Sequence, residues 1–215
     1  MKINTLTRSI QIGLVAVAVS TLSIQSRAED VIRYKGRPVG TKVRIDGAAN
    51  VHKWNMEGTI ISGFFEVPAS VDLTSAKGEI ASKAEISIPV SSIKNTEWEG
   101  MSEVMLDAMH ATNSPYIKFS LTSLNITTPG AAGKALVGDV KGDLIINNIT
   151  NATAFPVSIE TVEKGRLKIT ATDVPVKMTD FKIAPPVKLG IFTTDPDVKI
   201  SFEWMVGVPK GAVAK

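Results

Sequence analysis

The side chains that most often carry out chemistry are sparse in this 215-residue chain. It contains two histidines, His52 and His110, and no cysteine. Zinc usually takes three or four protein ligands, so carboxylates such as Asp107 would have to complete a site built on these histidines. A histidine that is only hydrogen-bonded within the fold is the simpler interpretation. We therefore predict no metal site.

The sequence also contains no motif that indicates nucleophilic or acid–base catalysis. The Gly-x-Ser-x-Gly turn of α/β-hydrolases does not occur, and neither does a glycine-rich phosphate loop. The acidic pair Glu97 and Glu99 suits the start of a helix, where carboxylates oppose the positive end of the helix dipole. We predict that the chain is not an enzyme and has no catalytic residues, and a cryptic hydrolase is the least favoured of three hypotheses.

Most of the chain instead carries the period-two pattern of half-buried strands. Residues 138–159 are the clearest example, because Leu144 and Ile146 share one face while Lys141 and Asp143 occupy the other. An asparagine-rich turn divides this stretch into a hairpin. Similar patterns predict strands at residues 31–34, 43–45, 60–67, 78–90, 116–124, 166–172, 174–178 and 198–206.

One segment, residues 97–109, has helical spacing. Thr96-Glu-Trp-Glu99 resembles a capping box, and Pro115 closes the segment. Its apolar stripe consists of Met101, Val104, Met105, Ala108 and Met109. Many short strands with a single helix predict an all-β antiparallel domain. A closed barrel is preferred, because it leaves no exposed edge strands, and a sandwich is the alternative.

Residues 1–28 have the three parts of a cleavable signal peptide. Lys2 and Arg8 precede an uncharged apolar stretch, residues 10–24, and small residues stand before the cleavage point. We predict export to the periplasm, with an extracellular destination left open, and a mature chain that starts at Glu29 without an integral membrane segment. The leader holds three basic residues and no acidic ones, so the mature chain has equal numbers of basic and acidic groups. This balance argues against a nucleic-acid partner.

Four segments in order resemble the YceI-like family of lipid- or polyisoprenoid-binding proteins, in the branch with an Asn-Val-His-x-Trp signature. The resemblance spans about residues 41–206. The segments are Gly47-Ala-Ala-Asn-Val-His-Lys-Trp54, Ile88-Pro-Val-Ser-Ser-Ile93 with Asn113-Ser-Pro-Tyr-Ile-Lys-Phe119, Gly142-Asp-Leu-Ile-Ile-Asn-Asn-Ile-Thr150, and Lys177-Met-Thr-Asp-Phe-Lys-Ile-Ala-Pro-Pro186.

The resemblance implies a lipocalin-like barrel of about eight strands that holds the apolar tail of an amphiphilic lipid or isoprenoid. No cofactor is expected, although the ligand could be an isoprenoid quinone or another lipid. The domain would span residues 29–207, with a flexible tail at 208–215, and a homodimer is left open. The alternative is a structural or partner-binding barrel with a filled core. We predict that the ligand contacts Trp54, Phe64, Met105, Met109, Phe119, Leu144, Ile146, Phe155, Ile169, Phe181, Phe202 and Trp204.

The longest irregular stretch, residues 184–197, is too apolar for a freely solvated connection. It carries Leu189 and Phe192 together with three prolines, which favour an ordered loop. In a closed barrel such a loop covers an end or lies along the wall. We predict that it caps one end, with Leu189 and Phe192 contacting the ligand or plugging the opening.

Overall fold

The structure is a computed structural model that describes residues 30–131, 134–188 and 191–209, without the side chains of Glu99, Lys188 and Phe192. The predicted signal peptide, the predicted start at Glu29 and residues 210–215 of the predicted tail lie outside the described residues. Within the described part, no helix has both the length and the apolar character needed to cross a membrane.

The described residues form strands and one α-helix, α1 (Glu99–Ala108). Short 3-10 turns cover Val90–Ser92 and Met178–Phe181. The strands are β1 (Val31–Gly36), β2 (Lys42–Ala48), β3 (Lys53–Gly58), β4 (Ser62–Pro68), β5 (Gly78–Ile80), β6 (Lys83–Pro89), β7 (Tyr116–Thr128), β8 (Leu136–Ile146), β9 (Ile149–Glu163), β10 (Arg166–Lys177), β11 (Val187–Lys188), β12 (Phe192–Thr193) and β13 (Asp197–Gly207).

The main sheet closes on itself into an antiparallel barrel. Its order runs β1-β4-β6-β7-β8-β9-β10-β13, and the pairs Lys35–Gly207 and Gly36–Val206 join β13 back to β1. The predicted all-β antiparallel barrel of about eight strands with one short helix is confirmed. Closure pairs the first and last strands of the sheet, whose edges an open sheet would present to other chains.

The eight strands of the barrel include three that are interrupted. β1 and β2 lie one after the other along the same edge of β13, and β4 and β3 pair with them in turn. β5 and β6 share an edge of β7 in the same way. Gly40, at a φ of 80°, lies in the break between β1 and β2. Positive φ is open to glycine at no steric cost, so the chain can change direction there.

The predicted hairpin at residues 138–159 is formed by β8 and β9. Their ladder runs without interruption from the Leu136–Ile159 pair to the Ile146–Ile149 pair. Asn147 and Asn148 both have positive φ, 50° and 58°. This is the backbone geometry of a two-residue type I′ turn, whose twist matches that of the strands it joins.

The helix differs from the sequence prediction at its N-terminus. It begins at Glu99, after Trp98, and no side chain caps it in the manner of a capping box. The side-chain oxygen of Asn95 accepts hydrogen bonds from the backbone N–H groups of Glu97 and Trp98. The predicted cap at Thr96 is therefore wrong, because Asn95 already orders the turn that precedes the helix.

Candidate ligand-binding cavity

The barrel interior contains an apolar cavity of about 390 Å³ at the end covered by α1. Strand residues form its walls, and α1 forms one side of its mouth. The other side includes Ile183, Pro186 and Thr194. His52 is the only histidine among its described lining residues. The lining residues are Ile45, Ala49, Val51, His52, Trp54, Met56, Trp98, Met101, Val104, Met105, Ala108, Met109, Ile117, Ile146, Val176, Met178, Phe181, Ile183, Pro186, Thr194, Val198 and Ile200.

A second, smaller cavity of about 90 Å³ lies further inside the barrel. It shares Ile45, Ile117, Val176 and Ile200 with the outer cavity, so the two are neighbours along one apolar interior. Five aromatic side chains border it, and three of their rings are close neighbours. Phe155 lies 5.5 Å from Phe119 and 6.3 Å from Phe202, measured between ring centroids.

Two glycines make room for aromatic rings that line these cavities. The six-membered ring of Trp54 lies against Gly47 on the neighbouring strand, where a Cβ atom would collide with it. The Phe119 ring lies over Gly142 in the same way, and this lets it reach Phe155 across β8. In both places an aromatic ring from the neighbouring strand occupies the space that a side chain would take if the glycine were a larger residue.

The helix that covers the outer cavity is held at both ends. At its start, the Asn95 amide donates to the Asn55 carbonyl oxygen of β3, at 2.7 Å. After its end, the His110 ring lies 3.2 Å from the Asn147 side-chain oxygen, and the Asn148 amide donates to the buried Ser114 hydroxyl at 2.7 Å. These contacts fix the methionines of α1 above the barrel interior.

The loop predicted to cap the barrel lies at the cavity mouth. It contains the strand pair β11–β12, and Pro186 and Thr194 line the outer cavity. The Asn50 side chain ties it to the β2–β3 turn, donating to the Ile191 carbonyl oxygen at 2.8 Å and accepting from the Thr193 N–H at 3.2 Å. The cap itself stays a prediction, because Leu189 and the Phe192 side chain lie outside the described residues.

Eleven of the predicted ligand contacts line the two cavities. Trp54, Met105, Met109, Ile146 and Phe181 line the outer cavity. The inner cavity is bordered by Phe119, Leu144, Phe155, Ile169, Phe202 and Trp204. Their contact with a ligand stays a prediction.

Phe64 is placed differently from its prediction. It lies on the outer face of β4, where the Arg33 guanidinium carbon lies 3.7 Å from its ring centroid. Its neighbour Phe65 is buried and lines the inner cavity. Adjacent side chains of a strand point to opposite faces, and β4 has Phe65 and Val67 inside, so Phe64 must point outward.

Several cavity residues were missed because their segments carry weak signals. Met56 is fully buried, yet β3 has only Trp54 and Met56 as apolar residues to mark its inner face. Ile183 and Pro186 lie in an irregular stretch without periodicity. The alternation of Trp54 and Met56 was the one usable signal, since both side chains lie two residues apart on one face.

Charged groups collect on the outer surface of the strands whose inner side chains line the cavity. Arg44 pairs with Asp46 at 2.7 Å and with Glu57 at 2.9 Å, and Lys42 pairs with Glu57 at 3.0 Å. Hydrogen bonds from Lys42 and then Arg44 lower the pKa of the Glu57 carboxyl group below its ordinary value. The barrel wall thus separates a charged exterior from an apolar interior.

Exposed apolar side chains surround the mouth. Val51 and Trp98 line the outer cavity and are 55% and 45% exposed. Val187 and Ile191, on the loop beside it, are also exposed. Among the described residues no group of three or more histidines and carboxylates is arranged to hold a metal ion. The described lining of the site therefore offers mainly apolar contact.

Comparison with known proteins assigns this architecture. The sequence model of the YceI-like domain matches residues 34–205. The chain belongs to the YceI-like family. The match begins within β1 and ends within β13, and all residues that line the two cavities lie inside it.

Two solved structures share the YceI-like fold. BcnA of Burkholderia cenocepacia has a TM-score of 0.60 at 16% identity, covering 79% of this chain and 98% of BcnA. A polyisoprenoid binding domain from Saccharophagus degradans, implicated in plant cell wall breakdown, has a TM-score of 0.60 at 12% identity, covering 83% and 99%. At these identities the likeness shows the fold alone. No curated protein sequence matches this chain.

Proposed function

We propose that this YceI-like protein is a non-enzymatic carrier that holds the apolar tail of a lipid, isoprenoid or fatty-acyl, inside its barrel. The apolar cavity of about 390 Å³ carries this proposal. Its volume is within the range of small-molecule sites, about 300–1,000 Å³. A barrel with a filled core, the alternative function, would leave no such space.

The lining also favours an uncharged head group. No lysine, arginine, aspartate or glutamate is among the described residues that line the outer cavity. A carboxylate or phosphate entering it would lose its hydration without gaining a partner charge. The Trp54 indole N–H is buried without an acceptor among the described residues, so a ligand oxygen beside it would supply one.

Export belongs to the same proposal. The leader pattern of residues 1–28 supports cleavage after Ala28 and transfer to the periplasm. N-terminal sequencing of the protein recovered from a periplasmic fraction should give Glu29 as the first residue. Recovery of intact Met1 in a membrane fraction would contradict export with cleavage.

The direct test of the carrier function is organic extraction of the purified protein followed by mass spectrometry. A prenyl or fatty-acyl compound present in stoichiometric amount is the expected result. An empty extract, together with no binding of added probes, would favour a structural or partner-binding barrel.

A matched pair of fluorescent probes tests the head group. Parinaryl alcohol and parinaric acid share one polyene tail, and the alcohol should bind at least about tenfold more tightly at neutral pH. Ala108→Phe, which fills the outer cavity from α1, should weaken the alcohol. Asp107→Phe, at an exposed position on the same helix, is the control and should not. Equal binding of the acid would contradict the uncharged head group.

A further inference from the structure

The backbone ladder of the barrel wall has an opening between residues 149–157 of β9 and residues 171–177 of β10. These two strands pair only from Ser158–Thr170 to Glu163–Arg166. Residues 149–177 are all described, and beyond the Ser158–Thr170 pair no ladder joins the two strands. Each keeps its other neighbour, since β9 remains paired with β8 and β10 with β13.

The backbone of β10 explains where the two strands separate. Its register on β13 shifts between Ala171 and Val174, directly after the last pair with β9. Asp173 has a φ of 54° at this bulge, and its N–H donates to the Ser201 hydroxyl oxygen at 3.0 Å. A β-bulge bends the strand that contains it, so β10 turns away from β9 at this point.

Both edges of the opening carry a proline. Pro156 lies in β9, where it pairs with Asp139 of β8, and Pro175 lies in β10, where it pairs with Lys199 of β13. Proline has no N–H to donate, and within sheets it occurs at edges where a ladder is missing. The same two residues disfavour an extended peptide that would fill the opening as an added strand.

Apolar interior lies directly behind the opening. Phe155 and Val157 on one edge, and Val174 and Val176 on the other, all line the inner cavity. Val174 and Val176 are buried, while Phe155 is only half-buried. A hydrocarbon chain crossing here would displace the Phe155 side chain and meet no charged group among these four residues.

Two side-chain contacts bound the opening at one end, and the Asn147 amide of the β8–β9 turn makes one of them by donating to the Phe181 carbonyl oxygen at 3.1 Å. The Asn151 amide of β9 donates to the Asp180 carbonyl oxygen, which follows β10, at 2.8 Å. The outer edges of β3 and β5 also lack a strand neighbour, and at β3 the chain covers the edge. Glu57 and Lys94 exchange backbone hydrogen bonds at 2.8 Å, and Asn95 bonds to Asn55.

We propose that the opening between β9 and β10 is the passage through which the ligand tail enters and leaves the barrel, with Asn151 as the tie that limits its width. This inference rests on the proposed carrier function. It assigns the exchange of ligand to the side of the barrel rather than to its mouth.

Two asparagine variants separate a side passage from a passage at the mouth. Asn151→Ala removes the bond to the Asp180 carbonyl oxygen, and Asn50→Ala removes the equivalent bond to the Ile191 carbonyl oxygen at the mouth, both 2.8 Å long. Association and dissociation rates of parinaryl alcohol are measured by stopped-flow fluorescence. We expect Asn151→Ala to raise both rates by about fivefold and to leave the Kd within about twofold. Asn50→Ala should leave both rates near those of the wild type.

The opposite result, in which Asn50→Ala accelerates exchange at least as much as Asn151→Ala, would overturn the side passage. Unchanged rates in Asn151→Ala would also overturn it, even with normal probe affinity. A wild-type protein that binds no probe contradicts the carrier function itself, so the two failures differ. If Asn151→Ala does not fold, as judged by its urea midpoint, Asn151→Ser carries the same test.

Discussion

At the scale of single residues, the interior depends on which side chains are absent as much as on which are present. Gly47 and Gly142 let the Trp54 and Phe119 rings lie across neighbouring strands. Any larger residue at either position would push a ring into the cavity it now borders. The family motifs therefore contain glycines that shape the binding space without contacting a ligand.

Trp204 provides the clearest stability prediction. It is 1% exposed, and its indole N–H donates to the Ile61 carbonyl oxygen at 3.2 Å. Trp204→Ala should lower the free energy of unfolding by about 3–5 kcal/mol, because a large buried ring is removed. Lys199→Ala, at an exposed position of the same strand, should have almost no effect. Urea midpoints of both variants decide, and equal shifts would mean that the faces of β13 are reversed.

Glu57 provides a prediction about pH. Its pKa is lowered by Lys42 and Arg44, so its contribution to stability is complete above its ordinary pKa of 4.5 and is lost as the pH falls through the lowered value. At neutral pH the free energy of unfolding of the wild type should exceed that of Glu57→Gln by about 0.5 kcal/mol. The difference is small because these ion pairs lie at the surface. The difference should shrink as the pH falls below 4.5 and vanish once the pH is below the lowered pKa. The difference is measured by urea unfolding at a series of pH values. A difference that stays constant across these pH values would exclude the Glu57 charge as its cause.

The sequence predicted residue placement well where alternation is long and uninterrupted. β13 alternates along most of its length, and Phe202 and Trp204, which were predicted to contact the ligand, both line the inner cavity. β4 offers two adjacent phenylalanines, and either could be the inner one until the register is known. The glycine at 63, with a φ of 128°, also interrupts the regular strand there. Phe64 was therefore assigned to the wrong face.

At the scale of elements, α1 depends on its anchors more than on its own sequence. Ten residues are too few to form a stable helix alone, and most of its stability must come from packing and end contacts. Asn95 uses both its side-chain oxygen and its side-chain amide at the N-terminal end of the helix. Its side-chain oxygen accepts the N–H groups of Glu97 and Trp98, while its amide bonds to Asn55 of β3.

Replacing Asn95 should loosen the helix that covers the cavity. Asn95→Ala should cost about 1–2 kcal/mol, the range found for lost caps with a buried bond, and should speed hydrogen exchange of the α1 amides. Asn95→Asp keeps the acceptor but loses the donor to the Asn55 carbonyl oxygen, so its effect should be smaller. Exchange measured by mass spectrometry on the α1 peptide checks both. Unchanged α1 exchange in Asn95→Ala would assign the anchoring to the packing of the methionines.

The interrupted strands could not be predicted from the sequence. Each half of such a strand shows a short alternating pattern of its own. No feature of the local sequence indicates that β1 and β2 both pair with β13. That arrangement is fixed by the long-range ladder with β13. The prolines at 156 and 175 were a readable signal of an unpaired edge, but only the pairing in the folded sheet shows which edges they mark.

At the scale of the whole molecule, the two cavities form one apolar interior that is wide at one end and narrow further inside. The outer cavity, of about 390 Å³, lies beneath α1, and the inner one, of about 90 Å³, is narrowed by Phe119, Phe155 and Phe202. A tail that fills the first space can extend into the second only until these rings stop it. The barrel should therefore select ligands by tail length as well as by head group.

A series of straight-chain alcohols of increasing length, competing with parinaryl alcohol, tests this selection. Each methylene that is still buried contributes about 0.8 kcal/mol, so affinity should rise about fourfold per carbon and then level off once the inner cavity is full. Phe155→Leu enlarges the inner cavity and should move the plateau to longer chains. Ala84→Val, on the opposite wall of the same cavity, reduces it and should move the plateau to shorter chains. A general loss of packing would instead weaken the binding of alcohols of every chain length in both variants. Opposite shifts therefore identify the inner cavity as the limit, and a plateau that stays at the wild-type length in both variants would place the end of the tail in the outer cavity.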